Sequence, residues 1–276
     1  MRKNAWLFLL VALYGCSGGV PRYNGYIDAD LTYLSSDSPG RLVQLAVVRG
    51  QSVEKKQFLF KLEQTSESFG VKISQLSHDN LAEQLKVTEN QLHYAELNYR
   101  RTTLMRKDNA ASQNELDVAK KDRDVLLNQL AGLKFQMKSS QIDTKNKQWQ
   151  RERKEGFATD SGIIFDTYFT KGEYAQAGQP VLALITKRNI KVIFFVPESS
   201  LAKLSLNQNV LIKSDGNPTP LQGKISYIAN TAQYTSPLIY SRENRQSLLF
   251  CIEARIEHPD LRQIHLGQPV TLELAR

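Results

Sequence analysis

The chain has 276 residues, of which 41% are hydrophobic and 23% charged, and its formal net charge is +8 at pH 7. This length allows two or three modest hydrophobic cores, and the apolar content excludes a chain that is disordered throughout. The positive excess is mild, and no zinc finger, RNP-type aromatic motif or recognition-helix pattern accompanies it, so nucleic-acid binding is not indicated.

The N-terminus has the pattern of an export signal. Arg2 and Lys3 precede an apolar run from Ala5 to Tyr14, about half as long as the roughly 20 residues that span a bilayer. We therefore predict a signal peptide over residues 1–15. The sequence that ends at Cys16 resembles a lipobox, so Cys16 is predicted to become the lipidated first residue of the mature chain, with a linker over residues 16–30. Ordinary signal cleavage and a retained anchor are the alternatives.

An internal repeat follows the predicted linker. Residues 40–59 recur as residues 162–181 at a constant offset of 122, with glycine at 40 and 162 and at 50 and 172. Gly50 and Gly172 are predicted to adopt positive φ in tight turns, and Lys56 stands where the second copy has Gly178. We predict that residues 31–64 and 156–188 are two halves of one small β-sandwich that resembles biotinyl and lipoyl domains.

The segment between the two halves, residues 65–155, is predicted to be helical because it contains no proline and few glycines. Apolar or small residues recur there at alternating steps of three and four, with Lys, Gln, Glu and Asn around them. This spacing is typical of a coiled-coil seam about two residues in seven wide. The predicted seam positions are Leu81, Leu85, Thr88, Leu92, Ala95 and Tyr99 in one stretch, and Leu116, Ala119, Arg123, Leu126, Leu130, Leu133 and Met137 in the other.

The helical segment is predicted to double back at residues 107–112. Ser112 followed by Glu115 is the capping-box signature of a new helix. Two antiparallel arms of roughly 40 residues each would form a rod about 60 Å long.

The C-terminal third, residues 189–276, changes to β-type patterns. A β-rich run from Asn189 to Val196 precedes a short amphipathic helix predicted around residues 199–204. Further strand signals at residues 209–213, 221–230, 248–256 and 269–274 alternate with turn residues. We predict a small antiparallel β-barrel closed by one helix. The fold class is therefore α+β, with a barrel-sandwich hybrid domain split by a coiled-coil α-hairpin and followed by the barrel.

This order of parts resembles that of the HlyD-type membrane fusion proteins, also called periplasmic adaptors. The segment that includes Pro237, Tyr240 and Arg245 looks like the branch that serves ABC-type exporters. The resemblance implies a non-enzymatic adaptor that links an inner-membrane ABC-type transporter to a TolC-like outer-membrane channel. It also implies a homo-hexamer in the periplasm, anchored to the inner membrane by the lipid on Cys16.

The resemblance also implies a docking motif at the hairpin tip. In this family an Arg, a Leu four residues later and a Ser seven further on contact the channel, and Arg101, Met105 and Ser112 have that spacing here. Methionine replaces leucine, a swap that packs adaptably. The frame one residue earlier pairs Arg100 with Leu104 but places Ala111 at the serine position. As an alternative to docking, Ser112 is only a helix cap and Arg101 a solvated charge.

The sequence offers no catalytic constellation. The four histidines are scattered without metal-ligand spacing, and neither a phosphate-binding loop nor a GxSxG elbow is present. We therefore predict no enzyme activity, no cofactor and no metal. A swinging-arm carrier is one alternative, although the modified lysine of such domains would fall where the helical insertion lies. A structural coiled-coil envelope lipoprotein without a channel partner is the other.

Overall fold

A computed structural model describes residues 21–214, 217–233 and 249–274. The predicted signal peptide, the predicted lipidation site Cys16 and the segment from Pro237 to Arg245 lie outside these ranges. The described residues form two compact units, one of residues 21–32 together with the described residues from 185 onward, and the other of residues 33–184. In chain order the strands are β1 (Arg22–Ala29), β2 (Thr32–Ser35), β3 (Gly40–Leu45), β4 (Ser52–Val53), β5 (Phe58–Leu62), β6 (Glu155–Phe157), β7 (Gly162–Thr167), β8 (Tyr174–Ala175), β9 (Pro180–Thr186), β10 (Ile190–Pro197), β11 (Asn209–Ser214), β12 (Asn217–Gln233), β13 (Leu249–Ile256) and β14 (Pro269–Leu274). The helices are α1 (Thr65–Lys107), α2 (Gln113–Glu152) and the single-turn α3 (Glu198–Leu201).

The first unit contains a closed six-stranded barrel with the strand order β1-β10-β13-β12-β11-β14. Its core follows from strict alternation along β10, where Ile190, Val192, Phe194 and Val196 point inward and are buried. The helix predicted around residues 199–204 is only the single turn α3.

The prediction of a linker over residues 16–30 is wrong where the structure describes this segment, because a barrel strand lies there. Residues 22–29 form β1, which pairs antiparallel with both β10 and β14. Tyr23, Ile27 and Ala29 alternate inward into the barrel core, with Gly25 at the inward position between the first two. The barrel therefore needs a strand from the N-terminal side as well as residues 189–276.

The second unit has two four-stranded sheets, ordered β2-β9-β7-β4 and β6-β5-β3-β8, around one apolar core. The repeat noted in the sequence generates matching strands, because β3, β4 and β5 begin 122 residues before β7, β8 and β9. Each sheet includes a two-residue strand from the other half, since β4 pairs with β7 and β8 pairs with β3. The predicted positive φ of Gly50 and Gly172 is confirmed, and Lys56 adopts the left-handed conformation that Gly178 has in the second copy.

Helices α1 and α2 pack against each other between β5 and β6 in the chain. Every predicted seam position is buried or half-buried, with Leu92 and Ala119 the most deeply covered apolar members. The 43 residues of α1 correspond to a length of about 65 Å. The surroundings of the seam differ from the prediction, because large apolar side chains as well as polar ones are exposed outside it.

A polar layer fixes the register of the two helices near their base. The Ser74 hydroxyl donates to Asp143 Oδ2 at 2.7 Å and lies 2.9 Å from the Thr144 hydroxyl. Thr144 in turn donates to the Ser140 carbonyl at 3.0 Å. Buried polar groups that satisfy each other in one alignment penalise shifted alignments. A residue a given number of positions after Ser74 in α1 therefore lies level with the residue the same number of positions before Thr144 in α2.

Hydrogen bonds join the base of the hairpin to the strands beside it. The buried Gln64 amide donates to the Arg151 carbonyl at 2.8 Å and to Glu155 Oε1 at 3.1 Å. Lys154 Nζ lies 2.8 Å from Glu67 Oε1 and donates to the Glu63 carbonyl at 3.0 Å. These contacts couple the start of α1 to the end of α2.

Candidate functional site

The hairpin tip is a tight turn closed by backbone hydrogen bonds. After α1 ends at Lys107, Asn109 adopts a positive φ of 56°. The Ala110 N–H then donates to the Met105 carbonyl at 2.8 Å, and the Asn109 N–H donates to the Arg106 carbonyl at 3.1 Å. This pair of bonds is a Schellman motif, which satisfies the last carbonyls of a helix. The chain reverses within a few residues, so the tip presents a defined surface.

Ser112 starts α2 as its N-cap. Its hydroxyl accepts from the Glu115 N–H at 3.2 Å and donates to Glu115 Oε2 at 2.9 Å, while the Ser112 N–H donates to the same carboxylate oxygen at 2.6 Å. This is the predicted capping box. Hydrogen bonds from the Ser112 backbone, and then from its hydroxyl, lower the pKa of Glu115 below 4.5. The alternative role of Ser112 as a cap is therefore confirmed, and its docking role stays a prediction.

Arg101 and Met105 lie four residues apart on the same side of α1, and both are exposed. Met105 lines a groove of about 320 Å³ between the two helix ends, together with Asn98, Thr102, Ala111, Asn114, Glu115, Val118 and Ala119. Arg101 and Ser112 are not among its lining residues. The structure thus brings Met105 to a groove and leaves Arg101 on the neighbouring solvent-exposed surface. Leu104, from the alternative frame, is also exposed.

A second and larger groove of about 530 Å³ adjoins the first and shares Asn98 and Ala119 with it. Its other lining residues are Asn90, Gln91, Tyr94, Ala95, Asp122 and Leu126. Ala95 and Ala119 are small members of the seam, so they leave space where a leucine would fill it. The two grooves follow one face of the hairpin from its middle to its tip.

The end of α1 carries a cluster of positively charged residues. Arg100, Arg101, Arg106 and Lys107 fall in its last eight residues, and Arg106 and Lys107 lie in the last turn, where cations interact favourably with the helix dipole. Further down, Arg123 lies over the Tyr99 ring at 4.2 Å and pairs with Asp124 at 2.6 Å. That contact explains how an arginine occupies a seam position.

Sequence reasoning missed the groove-lining residues Asn98, Thr102 and Val118. Their signal in the sequence was the presence of small seam residues next to polar residues. Such a pattern predicts a groove only if the register of the two helices is known. In the part of the chain that the structure describes, no three His, Cys, Asp or Glu side chains are placed to bind a metal ion. Among the same residues, no helix is both long enough and apolar enough to cross a membrane.

Relatives of similar sequence are bacterial membrane proteins. A UPF0194 membrane protein of Citrobacter koseri is 25% identical over 90% of this chain and 86% of its own length. The UPF0194 membrane protein YbhG of Salmonella arizonae is 24% identical over 90% of this chain and 87% of its own length. None of the protein-family models matches the chain.

Solved structures of similar fold include a membrane fusion protein. MacA of Actinobacillus actinomycetemcomitans superposes with a TM-score of 0.70 at 15% identity, over 92% of this chain and 78% of MacA. The membrane fusion protein Spr0693 of Streptococcus pneumoniae superposes with a TM-score of 0.55 at 17% identity, over 92% of this chain and 98% of that protein. At these identities the likeness concerns the fold.

Proposed function

Because this chain has the fold of the membrane fusion proteins, the periplasmic adaptors of efflux systems, we propose that it links an inner-membrane ABC-type transporter to a TolC-like outer-membrane channel. In this role it is a non-enzymatic homo-hexamer anchored to the inner membrane by a lipid on Cys16. The two sheets around the shared core form a lipoyl-like domain, which the α1–α2 hairpin splits.

The observation that supports this proposal best is the shape and charge of the hairpin tip. The tip is a hydrogen-bonded turn at the end of a helical arm about 65 Å long, and it combines exposed Arg101 with the Met105 groove. A groove between two helix ends accepts an apolar side chain from a partner helix, and the flanking arginine pairs with an acidic or carbonyl group beside it.

The experiment that tests the function is mild cross-linking in the native cell envelope with a tag at Arg276, followed by identification of the co-purified proteins. Recovery of an ABC-type permease together with an outer-membrane channel supports the adaptor role. Recovery of homo-oligomers alone would instead favour a structural coiled-coil lipoprotein without a channel partner.

Point variants at the tip test the docking motif itself. Arg101→Gln and Met105→Ala are expected to reduce channel recovery while leaving the helical circular-dichroism signal unchanged. Lys107→Gln is the matched control, since it removes an exposed positive charge near the turn without touching the motif. Leu104→Ala tests the frame one residue earlier, and a larger loss from it than from Met105→Ala would move the motif to that frame. Unchanged recovery in all four variants would overturn the tip assignment.

A further inference from the structure

Met105 has the most accessible sulfur in the part of the chain that the structure describes. Its side chain is 43% exposed at the end of α1. Met137 is half-buried in the helix seam, and Cys251 is half-buried in the barrel. Because oxidation of protein sulfur depends on access to solvent, Met105 is the first of these three residues that an oxidant in solution reaches.

The Cys251 thiol is a poor competitor for such an oxidant. Burial, and then the negative charge of Glu253, raise the pKa of this thiol, while Lys191 opposes them. The thiolate is the form that attacks an oxidant, so a raised pKa slows the oxidation of Cys251. A thioether has no proton to lose, and the reactivity of Met105 therefore does not depend on ionisation.

The surroundings of Met105 suit an oxidised side chain. Met105 is the largest apolar side chain that lines the groove of about 320 Å³ at the hairpin tip. The side-chain amides of Asn98 and Asn114 line the same groove, and neither amide has a hydrogen-bond partner among the residues that the structure describes. A thioether sulfur is only a weak acceptor for such donors, whereas a sulfoxide is polar and accepts from them through its oxygen.

Oxidation of Met105 leaves the turn itself closed. The Met105 carbonyl accepts from the Ala110 N–H at 2.8 Å, and this bond involves the main chain alone. The capping box is formed by Ser112 and Glu115 without any atom of Met105. An oxygen added to the sulfur therefore changes the surface of the tip and not its fold.

We propose that Met105 is a reversible oxidation site, at which hydrogen peroxide converts the thioether to the sulfoxide and makes the tip groove more polar. A lone pair of the sulfur attacks one peroxide oxygen, so that the S–O bond forms as the O–O bond breaks. The sulfur is oxidised, and the departing hydroxide takes the proton of the transferred oxygen and leaves as water. A methionine sulfoxide reductase with a dithiol reverses the change: the two thiols become a disulfide, and the oxygen leaves as water.

The consequence for docking rests on the proposed function. With the sulfoxide held in the groove by the amides of Asn98 and Asn114, an apolar side chain of a partner helix would pack against a polar oxygen. Burial of apolar surface against a polar group is less favourable than burial against a thioether. Oxidation of Met105 therefore weakens the contact between this chain and the channel.

Peptide mapping by mass spectrometry tests the site. The purified full chain is treated with hydrogen peroxide, and sulfoxide formation is followed at Met105 and Met137 in the same sample. Met105 is expected to oxidise at least about threefold faster than Met137. In urea, which unfolds the chain and exposes both residues, the two rates are expected to become equal. Equal rates in the folded protein would overturn the site.

Reversibility is measured on the same peptides. Methionine sulfoxide reductases of both epimer specificities, supplied with a dithiol, are expected to return Met105 of the folded protein to its original mass. A sulfoxide that persists at Met105 under these conditions, while the same enzymes reduce it in the unfolded chain, would overturn the reversible character of the site.

Channel recovery tests the consequence for docking. After peroxide treatment, the tagged chain is expected to recover about tenfold less channel from detergent-extracted cell envelopes than the untreated chain. Met105→Leu is the matched control, because leucine fills a similar volume and has no sulfur. Whatever its recovery before treatment, this variant is expected to show no change with peroxide. An equal loss in the wild type and in Met105→Leu would overturn the consequence for docking.

The site and the proposed function fail separately. Peptide mapping uses purified protein with neither transporter nor channel present. Fast and reversible oxidation of Met105, combined with no channel recovered by the untreated chain, would retain the site and reject the adaptor role together with the docking consequence. Channel recovery with equal oxidation of Met105 and Met137 would reject the site and retain the adaptor role.

Discussion

The Ser112 hydroxyl has both of its hydrogen-bonding functions engaged by Glu115. A partner that needed the same hydroxyl would compete with the N-cap, and loss of such a cap typically costs about 1 kcal/mol of stability. Weaker docking after Ser112→Ala would therefore not distinguish a lost contact with the partner from a destabilised turn. Arg101 and Met105 make no such contribution to the turn through their side chains, which is why the tip experiment relies on them.

The capping box is expected to make stability depend on pH at the acid end. Because the folded pKa of Glu115 lies below its ordinary 4.5, its contribution is present above that value and is lost as pH falls through the folded pKa. Glu115→Gln keeps a hydrogen-bond acceptor but does not titrate. We expect the wild type to melt higher than Glu115→Gln at pH 7, and the gap to shrink as pH falls below 4.5.

Melting curves of both proteins across this pH range provide the measurement. Glu89→Gln, at an exposed position on α1, is the control, because it removes one carboxylate that takes no part in a helix cap. A gap between wild type and Glu115→Gln that stays constant at every pH below 4.5 would show that the carboxylate charge does not stabilise the turn.

Two neighbouring leucines of α2 test the helix seam. Leu126 is half-buried against α1, and Leu127 is exposed beside it. Leu126→Ala is expected to cost about 2 kcal/mol, because it removes a packed side chain and leaves a void, whereas Leu127→Ala is expected to cost less than about 1 kcal/mol. Urea unfolding followed by the helical circular-dichroism signal measures both. Equal losses from the two variants would mean that the seam does not run through Leu126.

The seam could be predicted because contact along a helix depends on spacing alone. Leu85, Thr88 and Leu92 fall at steps of three and four, and the structure covers each of them. The exposed apolar side chains outside the seam, such as Tyr94 and Phe135, were not predicted, because polar residues separate them in the sequence. The polar layer at Ser74 and Thr144 could not be predicted, since it depends on which residues of two distant segments meet.

The same limit explains the error over β1. Tyr23, Ile27 and Ala29 alternate as in a strand, but Gly25 interrupts the apolar pattern at an inward position. The partners of this strand, β10 and β14, are far away in sequence. Local patterns therefore identified most of the barrel but not the strand that closes it.

The integrity of the barrel as a whole is expected to depend on Gly25. A side-chain carbon at this position would lie 2.4 Å from the Ile193 carbonyl oxygen and 2.8 Å from Phe194 Cβ. Both atoms belong to a paired strand and cannot move away easily. Gly25→Val is expected to destabilise the barrel by about 3 kcal/mol and to leave the hairpin helical.

Limited proteolysis separates the two units in this test, with new cleavage expected in the barrel and protection expected in α1 and α2. Asn24→Val is the matched control, because it places the same side chain on the exposed face of the same strand. Equal protease resistance of both variants would show that β1 is dispensable for closing the barrel.

The pairing of β1 with β14 has a consequence for the order in which the protein forms during synthesis. The hairpin needs only partners within its own segment, so it can form soon after α2 has emerged. Strand β1 emerges before the hairpin, yet one of its two neighbours, β14, emerges well after it. Until then its backbone groups are unpaired, and an unpaired strand is a template for aggregation. A chaperone that shields residues 22–29 in the nascent chain would therefore protect the stage at which this protein is most vulnerable.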